Sequence, residues 1–226
     1  MKSFIIYVKG HKESERQARK TLSSCSNSGF DAELMEGITP QTVDENNLYP
    51  DADGARIVSF KKESSKVYNS KKSCFTNHIR VWKRCVELNE PVVFLEHDVA
   101  NVRNWVPGQI LFDEVLILNI TSAFTVTTFE HIKHLTPKYN FGLNSYNKSP
   151  LIYHKENQWK GSLMIPGTAS YAVTPKGAKK LLNNLDKYGW EQSDFFINSY
   201  NTNLQYVIPE YFTFHPEQNL NLSYGF

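Results

Sequence analysis

Two stretches of the chain, Phe4-Ile5-Ile6-Tyr7-Val8 and Val92-Val93-Phe94-Leu95, are apolar without interruption and rich in β-branched and aromatic residues, and a third, Val115 to Ile120, is apolar but for Asn119. That pattern predicts strands buried on both faces of a parallel sheet. Other segments follow the helical period. Ala18, Leu22 and Cys25 share a stripe between about Glu13 and Cys25, and Phe75, Ile79, Trp82 and Val86 share one between about Ser73 and Leu88, which stops at Asn89-Glu90-Pro91. Phe30 to Met35, Ala169 to Val173 and Tyr206 to Ile208 read as further strands. Thr174-Pro175 supplies an N-cap and an N1 proline for a helix carrying Ala178, Leu181, Leu182 and Leu185. Alternating strands and helices predict an α/β fold, a mostly parallel central sheet flanked by helices, in a single domain over residues 1–226. Two stretches lack periodicity: a polar one from Gly37-Ile38-Thr39-Pro40 to about Lys66, and an Asn-, Tyr-, Thr- and His-rich one across 119–160, read as a functional excursion or a small antiparallel hairpin.

Composition narrows the picture modestly. A chain of 226 residues with 40% hydrophobic content can bury a sizeable core. Its 25 basic and 23 acidic residues nearly cancel, so no global field points to a polyanion. The longest apolar runs are too short for a membrane span, and Cys25, Cys74 and Cys85 lack zinc-type spacing and read as reduced, mostly buried thiols. The expectation is a cytoplasmic protein with no integral membrane segment.

The chemistry concentrates at the end of the second apolar strand. Glu96 and Asp98 lie one residue apart, and the strand period of two would send both to one side. Paired carboxylates repel and are stabilised by a cation; their oxygens suit a hard divalent ion such as Mn²⁺ or Mg²⁺, which can in turn hold a diphosphate. Taken alone, the pair is as readily a polar strand-to-loop turn.

Three blocks in order change that balance. Lys72-Ser73-Cys74-Phe75-Thr76-Asn77-His78-Ile79-Arg80-Val81-Trp82 resembles the Gly-Cys-x-x-Ser-His-x-x-x-Trp helix of glycosyltransferase family 25, the lipooligosaccharide-type and collagen-galactosyltransferase-like enzymes. Val92 to Val99 is similar to the family's strand ending in Glu-Asp-Asp-Val, with His97 in place of the middle aspartate. Pro166 to Leu182 is similar to its Gly-Thr-x-x-Tyr block. The resemblance runs from about residue 3 to 215 and implies a GT-A type fold and metal-dependent sugar transfer from a nucleotide donor, a UDP-sugar favoured.

On that resemblance Asp98 is the foremost metal ligand, and Glu96 binds either the metal or the donor's ribose. Asp194 stands where the family has an aspartate that could take the acceptor's proton; it also suits the first turn of a helix. His215 is a candidate to close the metal site, or a structural histidine. Tyr7, Val8, Lys9 and Gly10 occupy the strand end where a GT-A sheet holds base and ribose. Arg16 is within reach of a phosphate or is a solvated charge. Asn77 and His78 are candidate donor contacts, with a structural hydrogen bond the rival role for His78; Trp82 reads as core. Gly167, Thr168 and Ala169 either let the main chain approach the sugar or form a plain turn.

The acceptor class is a hydroxyl, on a glycan, lipooligosaccharide, protein or modified nucleobase in DNA. The resemblance favours inversion with Asp194 as base. Two other functions share these residues: an inactive GT-A-like module that only binds a nucleotide-sugar or glycan, supported by His97, and a metal-dependent nuclease or phosphatase, which lacks further acidic or Lys/His spacing.

Overall fold

The computed structural model describes residues 1–45, 65–126, 140–145 and 167–216. Its elements, in chain order, are β1 (Lys2–Tyr7), α1 (Lys12–Ser24), β2 (Asp31–Glu36), α2 (Ser65–Leu88), β3 (Val92–Glu96), β4 (Val99–Asn101) and β5 (Val115–Ile117). There follow α3 (Ile120–Val126), β6 (Gly142–Ser145), β7 (Ser170–Val173), α4 (Pro175–Tyr188), α5 (Ser193–Phe196), β8 (Leu204–Ile208) and β9 (Phe212–Phe214). Most of the excursion expected over 119–160, Pro166 and the polar tail lie outside the described residues.

Seven strands form one sheet in the order β2-β1-β3-β7-β5-β8-β6, and β4 pairs with β9 beside it. In the main sheet β2, β1, β3, β5 and β8 run one way, while β7, between β3 and β5, and the edge strand β6 run the other. The expected α/β class and mostly parallel sheet are what the chain forms.

The unbroken apolar runs bury both faces as their pattern requires. Phe4 and Ile6 of β1, with Phe94 of β3, join Phe75 and Trp82 of α2 and Leu181 of α4 on one side. Ile5, Val93 and Leu95 join Ala18 of α1, Trp105 and Phe212 on the other. The Thr174 cap is present: its hydroxyl accepts from the Gly177 N–H at 3.1 Å ahead of Pro175. Gly177 itself packs so tightly on the Glu114 main chain that a Cβ there would collide with it.

Two expectations need correction. The helix predicted from about Ser73 begins at Ser65, because the polar turns ahead of Phe75 carry no apolar stripe to announce them. Cys25 and Cys85 are buried, but Cys74 is exposed, because its face of α2 borders an open cleft instead of a packed neighbour.

Candidate functional site

The cleft opens at the carboxyl ends of β1 and β3, adjacent parallel strands with Ile6 opposite Glu96. Ligands in open α/β sheets bind at this end. It encloses about 120 Å³, bordered by Tyr7 and Val8 at the end of β1, Ile38 and Thr39 after β2, Cys74 and Asn77 on α2, and Glu96 and His97 at the end of β3.

The wall after β2 is held by one side chain. The Asn77 Oδ1 accepts from the Ile38 N–H at 2.8 Å and its Nδ2 donates to the Ile38 carbonyl at 3.0 Å, so the amide pairs with the main chain as a neighbouring strand would. A further bond to the Ser73 carbonyl at 3.0 Å fixes the amide to its own helix. Sequence alone places Asn77 among donor contacts without this partner, and it does not single out Ile38, Thr39 and Cys74 as cleft residues. The Gly37-Ile38-Thr39 turn is the available signal.

On the β3 side the cleft is lined by Glu96 and His97. The strand ends at Glu96, and His97 and Asp98 form a turn, so strand alternation does not carry Asp98. The two carboxylates are nonetheless neighbours: burial first, then the charges of Asp98 and Asp194, push the Glu96 carboxyl above its ordinary range. Asp98 is 7% exposed. Asp194 joins through a hydrogen-bonded relay. The Glu96 N–H donates to the Ala169 carbonyl at 2.8 Å, and the Asp194 carboxylate accepts from the main-chain N–H groups of Gly167 at 3.1 Å and Thr168 at 2.9 Å, and from the Thr168 hydroxyl at 2.8 Å. Gly167 has φ +70°, a conformation other side chains rarely adopt, which turns both N–H groups toward one carboxylate.

His215 reaches the acidic turn through the short β4–β9 ladder: its N–H donates to the Asp98 carbonyl at 2.8 Å. Its Nε2 lies 3.3 Å from the Thr21 hydroxyl, which also bonds the His97 carbonyl at 2.7 Å. The His97 Nε2 is buried and has no hydrogen-bond partner among the described residues.

The remaining candidates are dispersed. Lys9 pairs with Glu36 at 3.1 Å on the surface, the Gly10 N–H donates to Glu15 at 2.8 Å, and Arg16 forms a two-pronged pair with Glu13. His78 is fully buried beneath the cleft and does not line it. Its ring stacks on Phe94 with centroids 3.9 Å apart, and its Nδ1 lies 2.9 Å from the Tyr171 hydroxyl, which accepts from the Trp82 indole N–H at 2.8 Å. Burial pushes the imidazole down to about 3, so it is neutral near pH 7.

The cleft lies where an α/β sheet places a ligand, at the carboxyl ends of parallel strands, with Glu96 lining it and Asp98 in the turn that follows, and the family comparison agrees with a transferase. The model of glycosyltransferase family 25 (LPS biosynthesis protein) matches residues 1–197, and the chain belongs to that family. It is thus a glycosyltransferase. The match ends short of β8 and β9, so His215 lies beyond it. No curated protein matches the sequence. Among solved structures, the galactosyltransferase LgtC in complex with donor and acceptor sugar analogues is 9% identical at a TM-score of 0.46, covering 96% of this chain and 87% of that one. Mouse xyloside xylosyltransferase 1 in its apo form is 10% identical at 0.41, covering 88% and 81%.

Proposed function

We propose that residues 1–226 form one transferase domain that moves a sugar from a nucleotide-diphosphate donor, with a UDP-sugar favoured, to an acceptor hydroxyl, with Mn²⁺ or Mg²⁺ as cofactor. The observation that carries this reading is Glu96 lining the cleft, with Asp98 in the turn that follows it and Asp194 held by the Gly167 and Thr168 N–H groups, so that burial first and then the charges of both acids raise the Glu96 carboxyl. Such a set of hard oxygen donors fits a divalent ion.

Asp98 and Glu96 would hold the ion, with His215 the candidate to close the site from β9. The chemistry supplied there is neutralisation of charge building on the departing diphosphate. Tyr7 and Val8 would receive the base and ribose, and the Gly167-Thr168-Ala169 turn would approach the sugar. Asp194, aimed by that turn, would take the acceptor's proton as its oxygen bonds to the anomeric carbon and the bond from that carbon to the diphosphate breaks, which inverts the centre. Of the other donor candidates, Asn77 acts by holding Ile38, while Lys9, Gly10 and Arg16 do not line the cleft and are bonded to Glu36, Glu15 and Glu13. The three unbridged cysteines suit a reducing, cytoplasmic setting, and among the described residues no helix is long and apolar enough to cross a membrane.

The test is hydrolysis of UDP-, GDP- and CMP-sugars with Mn²⁺, alongside thermal-shift binding of the same donors. Turnover of one donor is expected. Binding without turnover would make the protein a recognition module, and neither would end the transferase reading.

A further inference from the structure

Cys74 and Glu96 line the cleft, and the buried His78 lies directly beneath them. The Cys74 Sγ lies 4.0 Å from the His78 Nε2, and these atoms and a Glu96 carboxylate oxygen all fall within 4.8 Å of one another. Thiol, imidazole and carboxylate together make a poor site for Mg²⁺ and a good one for zinc-type ions. We infer that Cys74, His78 and Glu96 form a second metal site, for a zinc-type ion, with its fourth position open to the cleft.

The three donor atoms, within 4.8 Å of one another, have to draw together onto one ion. Zinc bonds of about 2.3 Å to sulfur and 2.0–2.1 Å to nitrogen place tetrahedral sulfur and nitrogen ligands about 3.5 Å apart, so the Cys74–His78 pair has only to close slightly. His78 is already oriented: its Nδ1 meets the Tyr171 hydroxyl at 2.9 Å and its ring is stacked on Phe94, leaving Nε2 directed at the site. Metal-bound histidines are held in this way by a partner on the second nitrogen. Cys74 and His78 are one helical turn apart on α2 and project to the same face. Coordination replaces the Cys74 S–H bond with a sulfur–metal bond and releases the proton to solvent. Because Glu96 is common to both sites, a zinc-type ion and the donor's hard cation compete for it, a consequence that rests on the transferase reading.

Cobalt(II) tests the site without any sugar-transfer assay. Titrating the reduced, metal-free full chain should give a thiolate-to-cobalt charge-transfer band and the intense visible bands of four-coordinate cobalt, saturating stoichiometrically and reversed by Zn²⁺. Cys74→Ser, a small change at an exposed side chain, should abolish the charge-transfer band. Glu96→Gln should weaken cobalt binding by more than the ~10-fold typical of losing an outer-shell partner. No charge-transfer band in the wild type, or an undiminished band in Cys74→Ser, overturns the inference. Either result leaves donor turnover with Mn²⁺, measured separately, to decide the transferase reading.

Discussion

Thr168 binds the same oxygen of Asp194 twice, through its N–H at 2.9 Å and its hydroxyl at 2.8 Å. The contact is both a loop clamp and a way to aim a carboxylate, and two substitutions separate these roles. Asp194→Asn removes the proton acceptor and is expected to lower kcat by ~10²–10⁴-fold. Thr168→Val keeps the main-chain bonds and loses one hydroxyl contact to a charged group, worth about 1.5–3 kcal/mol. It should lower Tm with a much smaller loss of kcat. Equal kcat losses in the two variants would make Asp194 a clamp only.

Glu96 makes stability depend on pH in a direction opposite to that of most carboxylates. Its folded-state pKa is raised, to about 8, so the fold favours the protonated form. The stability it contributes is fully present below roughly 4.3, the value of an unperturbed glutamate, and is lost as pH rises through the folded-state value. From about pH 6.5, the ordinary value for histidine, up to about 8, the chain in EDTA should lose Tm with rising pH. Mn²⁺ should flatten the slope, and Glu96→Gln should remove it. A slope unchanged in Glu96→Gln would assign the effect elsewhere.

The Trp82–Tyr171–His78 chain gives a purely structural prediction. All three side chains are fully buried. Tyr171→Phe leaves the Trp82 N–H and the His78 Nδ1 without their partner, at about 1–3 kcal/mol for each buried group, read as a lower denaturation midpoint. His78 has its folded-state value pushed down to about 3. Its contribution is therefore complete above the unperturbed value of about 6.5 and is lost as pH falls from there toward the folded-state value. Acid unfolding of His78→Gln should show a shallower dependence over that range.

Gly177 tests the packing of α4. A Cβ would meet the Glu114 main chain, which has no flexible end to swing aside. Gly177→Ala should cost about 1–3 kcal/mol as an overpacked position, although alanine favours helix elsewhere. A more stable variant in urea unfolding would refute the contact.

Much of this architecture is legible in the sequence because local pattern and tertiary role coincide. The run Phe4 to Val8 is apolar on both faces and its strand is buried on both, and Thr174-Pro175 caps α4 where a cap is expected. Glu96 stands out as the acid ending such a run. The pairing of β4 with β9 is not legible, since three-residue strands distant in sequence have no periodicity to announce them. Nor is the exposure of Cys74, which depends on what fails to cover α2. His78 and Asn77 occupy neighbouring helix positions yet act differently, one stacked into the core and the other pairing with a loop. Only the approach of β3, β7 and the Ile38 turn decides between them.

The most direct measurement is calorimetric titration of UDP into the wild type and Asp98→Ala, each with Mn²⁺ and with EDTA. Wild type should bind UDP at least tenfold more tightly with Mn²⁺, and Asp98→Ala should show no such gain while remaining folded by circular dichroism. Equal UDP affinity with and without Mn²⁺ in the wild type, or a full Mn²⁺ gain in Asp98→Ala, would contradict a metal site at the end of β3.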